Sequence, residues 1–305
     1  MLIGRRYLEQ NPLPQPSAEG DKEARGRVLV IGGARQMPGP IILSATAAMR
    51  AGAGKLQIAT VSGLAANVAT AVPEALVHGV AEAPDGSFAA ASLAALQKAC
   101  AAAQAILMGP GMLENPTMHR LVFEVLRGLS AEQTLVLDAG ALAVYSDGRR
   151  PKRHPSVPPR PKGSVIITPH AGEMAMMLGR DKAEVQASPR DTAVAVARRF
   201  GVVAVLKGRE TFISDGKTTL VNRAGNVGLA TSGSGDVLAG IMAGLAARGA
   251  SPTQAAAFGV HLHARAGEVL ARKVGPLGYL AREIMAEIPP LMALLARRAK
   301  PARRG

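Results

Sequence analysis

The chain has 305 residues, of which 48% are hydrophobic and only 3% aromatic, so it can bury a large core built from small aliphatic side chains. Its one cysteine, Cys100, excludes an internal disulfide and suits a reducing compartment. The formal net charge is +14, but with no Trp, three Tyr and five Phe there is no platform for stacking bases, so the basicity predicts no specific nucleic-acid partner.

In chain order, residues 1–26 carry Pro12, Pro14 and Pro16 and predict a loosely held arm, with a short helical segment around Ile3–Glu9. No basic start leads into an apolar leader, and the most apolar long stretch, Ala89–Met108, is broken by Gln97, Lys98 and Gln104. A cytoplasmic protein without membrane association is expected. Arg27–Ile31 is a short apolar run ending in Gly32-Gly33, which predicts a buried parallel strand. A helix over Ile41–Ala51 and a strand over Lys55–Thr60 follow, implying a right-handed crossover. Two nucleotide motifs fail here. Gly32-Gly33 lacks the G-x-G-x-x-G spacing, and Met49 stands where a Walker loop before Gly54-Lys55 needs its first glycine.

Further along, Ala65–Ala71 predicts a helix, Pro73–Val77 a return to the sheet, and Phe88–Ala103 an Ala-rich helix. The strand Ala105–Met108 runs into Gly109-Pro110-Gly111, either a ligand-facing edge or a plain turn. A helix over Thr117–Leu126 precedes the strand Thr134–Leu137, which ends in Asp138-Ala139-Gly140. Asp138 orients a metal water or a side chain, or caps the turn. Charge then concentrates in a Pro-rich loop from Arg149 to Lys162 and in the tail after Leu291, both read as solvated surface. Ser164–Thr168 is the next strand, followed by Pro169-His170-Ala171-Gly172-Glu173, which brings His170 and Glu173 to the same edge. After a helix over Pro189–Phe200, the strand Val202–Leu206 leads into Lys207-Gly208-Arg209-Glu210-Thr211, and Thr211–Ser214 with Thr218–Asn222 predicts a hairpin.

The densest signal is the loop Gly225–Gly235 feeding an apolar helix that begins near Asp236. Glycine-rich backbone at a helix N-terminus gathers unpaired N–H groups around an anion. Asp236 either caps that helix or takes a proton from a hydroxyl that attacks phosphate, and the glycines in front of it favour the second reading. The last predicted helix, Pro252–Lys273, holds His261 and His263 on different faces, so no shared metal is expected. With strand after strand ending at one edge, the chain predicts a doubly wound α/β fold, mostly parallel with helices on both faces. An arm over 1–26, one domain over 27–290 and a basic tail over 291–305 complete it.

The ordered set of Val28–Gly33, Arg50–Gly54, Gly109–Gly111, Asp138–Leu142, Thr168–Glu173, Leu206–Thr211 and Gly233–Asp236 resembles the ADP/ATP-dependent NAD(P)H-hydrate dehydratases, which are ribokinase-like carbohydrate-kinase homologues. The resemblance covers about Arg27 to Pro289. It implies a lyase that phosphorylates the C6 hydroxyl of hydrated NADH or NADPH from ADP or ATP, with Mg²⁺, then eliminates phosphate to restore NAD(P)H. By the same resemblance, Asp236 is the base. Pro40, Gly111, His170 and Asp236 contact the hydrate. Lys207, Gly208, Arg209, Glu210 and Thr211, with Gly233, Ser234 and Gly235, bind the nucleotide, and Glu173 organises Mg²⁺ through water. A homotetramer is implied, and the chain is too short to add the epimerase domain that many relatives carry. Pro40 replaces a residue that is usually Ala, and Asp21-Lys22-Glu23 stands where relatives often have His-Lys-Gly. The competing reading is a ribokinase-like kinase of a small hydroxymethyl vitamin precursor.

Overall fold

Nine short β-branched or aliphatic runs form the sheet: β1 (Arg27–Ile31), β2 (Lys55–Val61), β3 (Ala75–Val80), β4 (Ala105–Met108), β5 (Thr134–Leu137), β6 (Ser164–Ile167), β7 (Val203–Leu206), β8 (Thr211–Ser214) and β9 (Thr219–Asn222). In a computed structural model, which describes residues 1–15, 21–146, 158 and 160–299, they line up as β3-β2-β1-β4-β5-β6-β7-β8-β9. Pairing is parallel through β7 and antiparallel over the last two strands, as the predicted hairpin requires. The central strands β4 and β5 are buried at every position, because helices cover both faces.

One helical layer is formed by α2 (Gly39–Arg50), α9 (Ser234–Ala247), α10 (Pro252–Lys273) and α11 (Ala281–Ala299), which pack on one another. The other contains α4 (Leu93–Ala101), α5 (Pro116–Gly128), α6 (Ala171–Leu178), α7 (Lys182–Ala187) and α8 (Pro189–Phe200), with α3 (Ala65–Ala71) beside β3. Helix α9 is the hub. Twelve of its residues are buried, and it lies so close to α2 that a Cβ on Gly240 or Gly244 would sit 2.2 Å from the carbonyl oxygen of Ser44 or Ala48. Backbone against backbone leaves this helix no room to shift, which fixes whatever stands at its N-terminus.

Two expectations change. The arm is not loosely held: Leu2 pairs with Val221 at the edge of β9, α1 (Arg5–Gln10) follows, and Ile3, Leu8 and Leu13 are buried. Pairing of Leu2 and Ile3 with Val221 covers an edge strand that would otherwise be open, and α1 packs against α11. The helix expected over 88–103 begins later, because Phe88 bridges to Glu82 and a 3₁₀ turn occupies Ala90–Ser92. Helix α11 runs through residue 290, where the basic tail is expected to begin, to Ala299. Most of the Pro-rich basic loop (147–157 and 159) and the end of the tail (300–305) lie outside the described residues.

Candidate active site

Strands β5, β6 and β7 are parallel neighbours, so their carboxyl ends deliver Asp138, Thr168 and Lys207 to one place. Asp138 is 3% exposed and its Oδ1 accepts from Thr168 Oγ1 at 2.6 Å and from Lys207 Nζ at 3.2 Å. Its backbone is held as firmly. Gly109, at φ +127°, leaves only 1.8 Å between a would-be Cβ and the Asp138 carbonyl oxygen, so no other residue fits there. The next residue, Ala139, has φ +49°, the only non-glycine with positive φ among the described residues, and strain of this kind costs about 1–3 kcal/mol.

Opposite this group opens the N-terminus of α9. Gly233 caps it at φ +85°, a left-handed turn that glycine adopts without strain, and the Ser234 N–H turns back to Thr231 O at 3.2 Å. Helix geometry leaves the Gly235 and Asp236 N–H groups without intrahelical acceptors. A Cβ on Gly235 would lie 3.4 Å from Lys207 Nζ and 3.9 Å from Asp138 Oδ2, so the mouth of the helix faces the ammonium and the buried carboxylate directly. Asp236 is half-buried. Burial, then the charge of Asp138 and more weakly that of Glu173, pushes its carboxyl up to about 7, against the pull of Lys207. For Lys207, burial works against the ammonium, but Asp138, Glu173 and Asp236 outweigh it and leave its pKa above the ordinary lysine value. The arrangement pairs a permanent cation with a carboxylate poised to exchange a proton near neutrality.

His170 and Glu173 form a capping box at the start of α6. His170 Nδ1 accepts from the Gly172 and Glu173 N–H groups at 3.0 and 3.1 Å, and Glu173 Oε2 accepts the His170 N–H at 2.7 Å. With Nδ1 accepting, Nε2 carries the proton, 3.7 Å from Glu173 Oε2. Glu173 Oε2 also lies 3.8 Å from Lys207 Nζ.

The other half of the edge is backbone. The sheet order reverses between β1 and β4, and there the Gly33 N–H donates to Pro110 O at 2.8 Å while Gly111 abuts Met37 O. Pro40 stands in the first turn of α2, and Leu43 of the same helix touches the Gly233 position. Gly111 follows β4, His170 follows β6, Asp236 lies in the first turn of α9 and Pro40 in that of α2. A separate cleft of about 460 Å³ is lined by Lys207, Gly208, Arg209 and Glu210 together with apolar Val185 and Phe212. Thr211 opens β8 beside it, and Glu210 is paired with Arg223 at 2.6 Å. Lys207 differs from its neighbours in that its ammonium reaches Asp138 and Glu173.

Sequence reasoning missed Thr168 as the hydroxyl that supports Asp138, and it missed His263, whose ring reaches Ser234 from α10. Thr168 had a readable signal, a polar residue closing an otherwise apolar strand.

A family model described as NAD(P)H-hydrate dehydratase matches residues 28–290. The chain belongs to that family. It is 46% identical over 291 residues to the ADP-dependent (S)-NAD(P)H-hydrate dehydratase of Xanthomonas campestris, covering 95% of each chain. The structure resembles the Bacillus subtilis ADP/ATP-dependent NAD(P)H-hydrate dehydratase, co-crystallised with ATP/Mg²⁺, with a TM-score of 0.80, 28% identity and 98% coverage of both chains. A ribokinase-like superfamily protein of Enterococcus faecalis matches with a TM-score of 0.78 at 28% identity, over 96% of this chain and 95% of that one. The dehydratase family's fold is therefore ribokinase-like here as well.

Proposed function

We propose that this chain is an ADP-dependent (S)-NAD(P)H-hydrate dehydratase that repairs hydrated nicotinamide nucleotides. The observation that carries the reading is Asp236, a half-buried carboxylate with a raised pKa, standing at the mouth of α9 where Gly235 faces Lys207. Asp236 takes the proton of the C6 hydroxyl as that oxygen attacks the β-phosphorus of ADP. The O–P bond forms, the bond to AMP breaks, and the charge building on the phosphoryl oxygens meets the Gly235 and Asp236 N–H groups and the Lys207 ammonium. The ring nitrogen then expels phosphate from C6, and loss of a C5 proton restores the dihydropyridine. Lys207 serves both steps, since phosphate carries the charge in each.

The 460 Å³ cleft beside residues 207–210 suits the nucleotide, with Val185 and Phe212 as an apolar wall for the base. The glycine-lined crevice by Pro40 and Gly111 suits the hydrate, with His170 Nε2 as a donor. Among the described residues no three His, Cys, Asp or Glu side chains come together as a metal cage. Glu173 accepts the His170 N–H through Oε2, which leaves Oε1 for a cation or its water. Glu173 remains the carboxylate that meets, through water, a cation carried in on the nucleotide. The tetramer implied by the family resemblance belongs to the same reading and is measured by light scattering.

The test is recovery of dihydronicotinamide absorbance when hydrated NADH and Mg²⁺ are mixed with the protein and either ADP or ATP. A rise with ADP and release of AMP is expected. No rise with either nucleotide from folded protein refutes the assignment, and a stable phosphorylated small alcohol would replace it with the kinase reading.

A further inference from the structure

Helix α10 sets a histidine behind the mouth of α9. His263 is 8% exposed, and its Nε2 lies 3.0 Å from Ser234 Oγ and 3.1 Å from the Ser234 carbonyl oxygen. The two helices are close enough that a Cβ on Gly259 would come within 2.6 Å of Met242, so the ring is backed by rigid packing. A backbone carbonyl only accepts, so the contact at 3.1 Å requires the proton on Nε2; the other tautomer would set two lone pairs face to face. The single N–H therefore forks between the carbonyl and the hydroxyl oxygen. Burial, aided by Lys207 and opposed by the Ser234 carbonyl, lowers the ring to about 4, so it stays neutral throughout the working range.

This fixes what Ser234 has left to give. Its backbone N–H is already committed to Thr231 O. Its hydroxyl oxygen accepts from the ring, so the hydroxyl proton goes to a different acceptor, and among the described residues the hydroxyl has no hydrogen-bond partner but this ring. Ser234 is the first residue of α9, one position before the Gly235 N–H that faces Lys207 and Asp138.

We infer that His263 is a positioning residue for phosphoryl transfer, acting through Ser234: it donates to the serine oxygen and thereby turns the hydroxyl proton toward a phosphoryl oxygen at the mouth of α9. The inference rests on the reading of that mouth as the phosphoryl site. It adds a donor that the backbone of this turn does not supply, and it gives a buried imidazole on a helix outside the active-site loops a role in the chemistry.

Two measurements test it separately from the reading beneath it. Imidazole nitrogen shifts of the ligand-free protein should show His263 as one neutral tautomer with its proton on Nε2. A proton on Nδ1 overturns the inference whatever the protein's activity. The second is a double-mutant cycle of Ser234→Ala and His263→Leu, read on kcat and on the ADP dissociation constant, the latter being independent of whether the hydrate is the substrate. Each single change should cost about tenfold, as expected for one hydrogen bond to a charged group, with KM for the hydrate unchanged. The double variant should be no worse than His263→Leu, and His263→Gln, which offers an N–H at similar reach, should recover most of the loss. Losses that multiply in the double variant, or a Ser234→Ala protein indistinguishable from wild type in both readouts, overturn it.

Discussion

The two halves of the carboxyl edge are built from opposite materials. Around β1 and β4 the site is bare backbone, with Gly33 bonded to Pro110, Gly32 against the same carbonyl and Gly111 against Met37. Around β5, β6, β7 and the mouth of α9 it is charge: Asp138, Glu173 and Asp236 surround one lysine. The first half excludes side chains to make a shape, and the second spends burial on carboxylates to make a reactivity. They meet at Asp138, whose carbonyl presses on Gly109 while its carboxylate receives Lys207 and Thr168. A disturbance of either half should therefore register as a different kind of loss.

The largest effect is expected in the charged half. Asp236→Asn should lower kcat by about 10²- to 10⁴-fold, the range for loss of a positioned base, with the fold intact. The folded-state pKa of Asp236 is raised, so its contribution is full below the ordinary carboxylate range and lost as pH rises through about 7. The Asn variant should thus melt higher than wild type above neutrality and match it in acid, which thermal denaturation at the two extremes measures. In the shape-making half, Gly109→Ala should cost more than about 3 kcal/mol in chemical denaturation, since both the φ of +127° and the 1.8 Å approach oppose a side chain. A Gly109→Ala protein of normal stability would break the distinction between the halves.

Smaller changes sharpen it. Lys207→Met removes the cation that lowers the Asp236 pKa, so the acid limb of kcat/KM should move to higher pH along with the fall in rate. Thr168→Val keeps the shape and deletes one donor to a buried carboxylate. It should cost about 1–3 kcal/mol in urea and leave the β1/β4 crevice unaltered.

How much of this was readable follows from the same contrast. Strand ends announce themselves, because a short apolar run stops at a glycine or a polar residue, and so the doubly wound sheet, the Gly109–Gly111 turn, His170 and the helix after Gly233 were all legible. Asp138 was visible as a position but not as a partner, since its meeting with Lys207 spans 69 residues of sequence and depends on β5 and β7 both flanking β6. His263 carried no signal, because a histidine on a long helix looks the same whether it faces solvent or a serine on the next helix. The arm misled for a local reason. Its prolines read as loop, while its spaced apolar residues Ile3, Leu8 and Leu13 only acquire meaning once the fold buries them.

The most direct test of the account is the pH dependence of kcat/KM for ADP-driven dehydration in wild type and in Asp236→Asn. Wild type should lose activity about tenfold per pH unit below about 7, as the base becomes protonated, and the residual rate of the Asn variant should show no such limb. A wild-type profile flat through neutrality, or the same limb persisting in Asp236→Asn, would contradict the assignment of Asp236 as the base.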